Sequence, residues 1–117
     1  MTSKMQTGVG GEDIAADYLK RKGYEIVERN FRYRKAEIDL IVRKNKWLVF
    51  VEVKTRSNGS FGYPEQFVDR EKKRNILLAA EHYTYKINWQ GNVRYDIVSV
   101  LGVEWDREVM HFEDAFY

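Results

Sequence analysis

The chain has no cysteine and a single proline, and none of its apolar runs approaches the roughly 18 residues that a membrane-spanning helix needs. Without cysteine, disulfides and cysteine-based zinc sites are excluded, and a cytoplasmic location is the default expectation. The opening stretch, MTSKMQTGVGGEDIAADYL, lacks a continuous apolar core and carries acids, so it does not read as a signal peptide. An excess of one charge is missing too: 20 basic and 18 acidic residues leave a net charge of +2, which says little about partners. What remains is ordinary for a folded protein, with 117 residues, 44% hydrophobic and 15% aromatic. That is enough for one core and too little for two, so residues 1–117 are expected to form one domain. Bases cluster locally, as RYRK from Arg32 to Lys35 and as Arg70, Lys72, Lys73 and Arg74. Such clusters are usually solvated surface, and they also suit nucleic-acid phosphates.

No repeat or low-complexity tract interrupts the chain, and Pro64 falls in the one long loop. A first helix is predicted from about Gly8 to Lys22, with Ile14, Ala15, Tyr18 and Leu19 as its apolar stripe and Gly23 to end it. A strand follows from Tyr24 to about Tyr33, then two stronger ones, Ala36 to Arg43 and Trp47 to Thr55. SNGSFGYPEQF, from Ser57 to Phe67, reads as a loop. A second helix is predicted over roughly Asp69 to Lys86, with Ile76, Leu77, Ala80 and Tyr83 facing inward. VRYDIVSVLGV and REVMHF fit two closing strands. The order is α-β-β-β-α-β-β, an α/β fold with a mixed sheet. The helical crossover places the fourth strand parallel to the third.

The second and third strands carry the informative anomaly. In WLVFVEVKTR the apolar residues Leu48 and Phe50 share a face with Glu52 and Lys54. Trp47 follows closely on Arg43, so the two strands should form a hairpin. A two-residue loop (Asn45-Lys46), or a four-residue one, sets Ile41 opposite Phe50, Leu40 opposite Val51, Val42 opposite Val49 and Ile38 opposite Val53. A one-residue slip flips every side chain, so burial favours this register. It also places Asp39 opposite Glu52 and Glu37 opposite Lys54, four charges on one face. Directly opposed side chains have Cβ atoms about 5 Å apart. Two carboxylates at that distance must be exposed, share a proton or share a cation.

Two readings of this cluster stay open. In one, Glu37 pairs with Lys54, and Asp39 and Glu52 are solvated or answered by an arginine. In the other the acids hold a divalent cation. Mg²⁺ takes oxygen ligands, commonly one or two carboxylates plus waters and substrate phosphate. A lysine beside it can orient or deprotonate a water, or stabilise charge at phosphorus. Two carboxylates and a lysine, without cysteine or clustered histidine, match metal-assisted phosphodiester hydrolysis.

Asp39, then twelve residues, then Glu52-Val53-Lys54 resembles the PD-(D/E)xK nuclease signature, whose core has the order α-β-β-β-α-β. The fuller set GGEDIAADYLKRKGYEIVERNFR, EIDLIV, VFVEVKTR and RYDIVSV resembles the YraN family of bacterial proteins, from about Gly8 to Val100. That family is similar to archaeal Holliday-junction resolvases. The resemblance implies a restriction-endonuclease-like core, with a mixed central sheet flanked by helices, and a Mg²⁺- or Mn²⁺-dependent endonuclease acting on structured or branched DNA. It implies Asp39 and Glu52 as metal-binding acids, Lys54 as the catalytic lysine and the Val53 carbonyl as a further metal ligand.

Glu12 matches a first-helix glutamate of the resolvase-like branch. It either supports the site or simply favours the positive end of its helix, worth about 0.3–1 kcal/mol. Glu37 either holds Lys54 or joins the metal shell. The family usually has glycine where this chain has Ala36, a departure that removes no chemical group. Thr55, Arg56, Arg70, Lys72, Lys73 and Arg74 are the expected phosphate contacts, since Lys and Arg supply most sequence-independent DNA affinity. Phe61 and Tyr63 either stack on bases or pack their loop. His82 and His111 read as isolated, and Arg94 with Asp96 as a structural pair. A weakly active or non-catalytic nucleic-acid-binding protein with the same fold is the alternative. By analogy with resolvases a homodimer is expected, with no membrane and no small-molecule cofactor.

Overall fold

A computed structural model describes residues 10–56, 69–102 and 108–115. Within them the elements are α1 (Gly11–Arg21), β1 (Glu25–Tyr33), β2 (Ala36–Lys44), β3 (Trp47–Arg56), α2 (Arg70–Lys86), β4 (Asn92–Leu101) and β5 (Glu108–Phe112). The expected α-β-β-β-α-β-β order is observed. The loop predicted over Ser57 to Phe67, with Phe61 and Tyr63, lies outside the described residues.

The five strands form one sheet in the order β1-β2-β3-β4-β5. Neighbours run antiparallel except β3 and β4, which pair in parallel from Trp47↔Asn92 to Arg56↔Leu101. That is the outcome expected for two strands joined through α2. The architecture is α/β with a mixed sheet, and its order is compatible with a restriction-endonuclease-like core.

Strand alternation decides which helix covers which face. Ile41, Leu48, Phe50 and Ile97 pack with Ile76, Ala79, Ala80 and Tyr83 of α2. Their neighbours Leu40, Val42, Val49, Val51, Val98 and Val100 pack with Ala15, Ala16 and Leu19 of α1. The sheet is therefore buried on both sides, which is why β3 reads as nearly continuous apolar sequence until Glu52.

Local chemistry sets the joints. α1 ends where Gly23 takes φ +98°, with the Gly23 N–H donating to Lys20 and the Tyr24 N–H donating to Leu19. This is a Schellman cap, and it needs the left-handed conformation that glycine adopts freely. The β2–β3 connection is the two-residue turn Asn45-Lys46, with Asn45 at φ 57°. Asp69 caps α2 by accepting the Lys72 backbone N–H at 2.7 Å. At the start of α1, a Cβ on Gly11 would lie 2.0 Å from the Thr55 hydroxyl oxygen. The first helical turn thus rests directly on the end of β3, and only glycine permits that approach. Among the described residues, no helix is long and apolar enough to cross a membrane.

Candidate active site

β3 is the central strand, so its buried parity continues past Phe50 to Glu52, which is only 4% exposed. A carboxylate there needs compensation. β2 supplies an unusual neighbour. Its ladder with β3 runs from Lys44↔Trp47 to Leu40↔Val51, as expected, and stops. At the next position the Asp39 Oδ2 accepts the Val53 backbone N–H at 2.8 Å, so a side chain takes the place of the partner strand. Ile38 and Ile41, three residues apart, both belong to the α2-side core, so the alternation of β2 slips by one between them.

This corrects the extended register. Asp39–Glu52, Ile38–Val53 and Glu37–Lys54 are not rungs of the ladder, because the Asp39 carboxylate has captured the N–H that would have continued it. Glu37 does not hold Lys54 either. It faces Arg32 of β1 at 3.7 Å, directly across the β1–β2 ladder.

The charges nevertheless converge. Asp39, Glu37 and Glu52 line one cavity of about 370 Å³ together with Lys35, Asp69, Glu71, Lys72, Asn75 and Ile76. Lys54 Nζ lies 3.3 Å from Glu52 Oε2, and Lys72 Nζ donates to the same oxygen. Lys72 reaches inward because it lies one turn before buried Ile76, on the inner side of α2.

Burial pushes the Asp39 carboxyl up to about 7, and the neighbouring Glu52 charge pushes the same way. The Val53 N–H and the Lys72 ammonium oppose this shift, while Glu12, in the first turn of α1, adds to it. Lys54 is held below the usual lysine range, first by burial and then by the Lys72 charge, against the pull of Glu52. Lys72 goes the other way. Burial lowers it, but its bond to Glu52 and the charges of Glu52 and Asp39 leave it above the usual value. Of the two amines over one carboxylate, Lys54 gives up its proton more readily.

Among the described residues, no three Asp, Glu or His side chains gather into a ready-made metal shell. The donor set still fits a hard cation of the Mg²⁺ type, which binds through one or two carboxylates and keeps waters. Burial, and then the neighbouring Glu52 charge, push the Asp39 carboxyl up to about 7, and a divalent cation would offset both. The Val53 carbonyl, expected as a further oxygen donor, belongs to the residue whose N–H is fixed by Asp39.

The remaining expected residues distribute unevenly. Thr55 lies beneath Gly11, and Arg56 donates to the Thr55 carbonyl at 3.2 Å. Arg70 is exposed at the start of α2, and Lys73 is half-buried one turn from the cap. Arg74 lines a different groove, with Leu77, Leu78, Glu81, Thr84, Val93 and Tyr95. The role of Lys72 as partner to Glu52 was missed, although its four-residue spacing from Ile76 carried the signal.

Neither histidine is isolated. His82 stacks on Tyr33 with ring centroids 4.1 Å apart. His111 Nε2 is 2.7 Å from Asp96 Oδ2, and its Nδ1 lies 2.8 Å from Lys22 Nζ. These contacts join residues 15 and 89 apart in sequence, and no local pattern announces them. Arg94 and Asp96 form the structural pair that was expected.

The model of the family described as uncharacterised protein family UPF0102 matches residues 11–100. A UPF0102 protein of Cytophaga hutchinsonii is 44% identical over 100 residues, spanning 86% of this chain and 88% of its own length. One from Christiangramia forsetii is 37% identical over 117 residues, spanning 100% of this chain and 98% of its own. Another, from Flavobacterium psychrophilum, is 40% identical with the same coverage.

Proposed function

The chain belongs to the UPF0102 family, the YraN family that its four sequence blocks resemble, and from that premise and the cleft's geometry we propose a metal-dependent endonuclease that hydrolyses phosphodiester bonds in structured or branched DNA. One observation carries this reading: two desolvated carboxylates, Asp39 and Glu52, line one cavity, and two lysines, Lys72 from the cavity wall and Lys54 from β3, both reach one Glu52 oxygen. A purely structural cluster of this kind would pair each acid with its own base. Here both bases crowd Glu52, and Asp39 is left with a backbone N–H and a raised pKa.

Asp39 and Glu52 would hold the cation, which when bound supplies Lewis-acid activation of water and charge neutralisation at phosphorus. The Val53 N–H fixes the Asp39 carboxylate, so one acid is oriented by the backbone before any ligand arrives. The Lys54 side chain is only 15% exposed, and burial lowers its pKa. Its amine is suited to accept a proton from an attacking water or to orient that water. Arg70 and Lys73, on the same end of α2 as Lys72, are expected to meet flanking phosphates. A four-way junction has two-fold symmetry, so a substrate of that shape calls for two copies of the chain.

The test is a cleavage panel of branched, flapped, single-stranded and duplex DNA with Mg²⁺ or Mn²⁺, run beside Asp39→Ala and Glu52→Ala. Cutting of at least one substrate should fall by about a hundredfold or more in either variant, given what transition-state charge stabilisation contributes. Absence of cleavage on every substrate rejects the enzyme. The double contact on Glu52 favours one second reading, a nucleic-acid-binding module that has replaced its cation with lysine. Its signature is salt-dependent DNA binding that survives Asp39→Ala but falls in Lys72→Ala combined with Arg74→Ala, with no cleavage.

A further inference from the structure

We propose that Lys72 is an internal counter-ion that exchanges with the divalent cation, its ammonium occupying the Glu52 carboxylate in the cation-free protein and leaving when a metal binds. The inference rests on the metal reading above and concerns how the site is kept intact without metal.

The two lysines on Glu52 are not equivalent. Both reach Oε2, but the Lys54 side chain is 15% exposed and that of Lys72 is 41% exposed. Lys54 rises from β3 itself and is enclosed there. Lys72 arrives from α2, across the cavity mouth, with its side chain already half in water. Moving Lys72 out therefore requires little new desolvation, whereas moving Lys54 would disturb a packed strand.

The backbone is prepared for this exchange. The Lys72 N–H is held by Asp69 at 2.7 Å, so the start of α2 stays fixed while the side chain swings. Asp69, Glu71 and Asn75 line the same cavity and offer the departing ammonium polar partners near its exit.

The charge balance points the same way. Glu52 and Glu12 both act on Asp39 as like charges, and Lys54 brings one positive charge, placed on Glu52. Without metal, an ammonium on Glu52 keeps a buried carboxylate from standing unpaired. With a divalent cation bound between the acids, that ammonium would be a third cationic group, beside the metal and Lys54, in one small space. It must leave, or the metal binds weakly.

The experiment is Mn²⁺ titration by calorimetry of the wild type, Lys72→Met and Lys72→Gln, with Asp39→Asn as control. Both Lys72 variants should bind Mn²⁺ on the order of tenfold more tightly, because a competing charge is gone and solvent screens only part of its repulsion. Without metal they should melt at a lower temperature than the wild type, and Mn²⁺ should raise their melting temperature by more. A lysine that serves only to contact DNA would move neither readout. Equal or weaker Mn²⁺ affinity in both variants overturns the counter-ion role and leaves the metal reading standing. No Mn²⁺ binding by any of the proteins overturns both.

Discussion

Two carboxylates sit inside the sheet and receive opposite treatment. Asp96 of β4 is 0% exposed. It accepts from Arg94 through both oxygens, at 2.9 and 2.8 Å, and from the Asp114 N–H at 2.9 Å, with His111 Nε2 at 2.7 Å. Burial alone would raise its pKa, but these bonds outweigh burial and hold the carboxyl below the usual aspartate value. Asp39 of β2 has one N–H and two acidic neighbours, and its carboxyl rises to about 7. Asp39 is only half-buried and Asp96 fully so, yet it is the Asp39 carboxyl that rises, so compensation outweighs depth. A fully satisfied buried charge is part of the scaffold, while an under-satisfied one marks a place built to receive something.

Breaking the satisfied side should have the largest effect. Asp96→Ala leaves the Arg94 guanidinium, whose side chain is only 14% exposed, with the Tyr24 hydroxyl and the more distant Glu113, and is expected to lower unfolding stability by about 3 kcal/mol in urea denaturation. The pH dependence follows from the lowered pKa. The Asp96 contribution is in place above about pH 4, the unfolded value, and is withdrawn as pH falls through the lower folded value. Stability of the wild type should therefore drop below pH 4, and Asp96→Asn should show a shallower decline. An unchanged acid limb would remove Asp96 from the scaffold.

Next comes the joint that carries Glu12 to the cleft. Gly11→Ala drives a methyl into Thr55 and should destabilise by about 1–3 kcal/mol, the range for overpacking, while loosening α1 from β3. A variant as stable as the wild type would show that α1 can shift without strain.

Asp39→Asn tests the other carboxylate with the opposite sign. Folding raises this pKa, so the associated stability is complete below about pH 4 and is lost as pH rises through about 7. In EDTA, Asp39→Asn should match the wild type near pH 4 and exceed it at pH 8. The gain is about 1–2 kcal/mol, with the shift discounted for the solvent that reaches this carboxyl. Asparagine keeps an oxygen to accept the Val53 N–H, so the backbone is not the variable. A loss of stability at pH 8 would mean that the charge is compensated after all.

The smallest effect belongs to an exposed pair at the cavity's edge, one member of which, Glu37, lines it. Arg32 and Glu37 are 3.7 Å apart with side chains 77% and 39% exposed, and Arg32→Ala should change stability by at most about 0.5 kcal/mol. A larger loss would implicate Glu37 in the cleft's charge balance.

The fold was legible because its signals are local. The apolar runs of β2 and β3, the Ile76, Ala80 and Tyr83 stripe of α2, Gly23 after α1 and the two-residue turn at Asn45-Lys46 each lie within one or two elements. Burial of Leu40, Val42, Val49 and Val51 then fixed the register from Leu40↔Val51 outward. The acid pair was legible for the same reason, since parity carried Glu52 and Lys54 onto one face.

The site's wiring was not legible, because it depends on competition among groups brought together from distant segments. Asp39 captured the Val53 N–H and ended the ladder, Glu37 went to Arg32, and His111 met Asp96 across the sheet. Sequence by itself determined the elements, their order, the two buried faces and the placement of carboxylates where a hydrophobic strand runs out. Only the tertiary structure decided which partner each charge would take. Period and propensity act between neighbours in the chain, whereas the energy of a buried charge depends on every group packed around it.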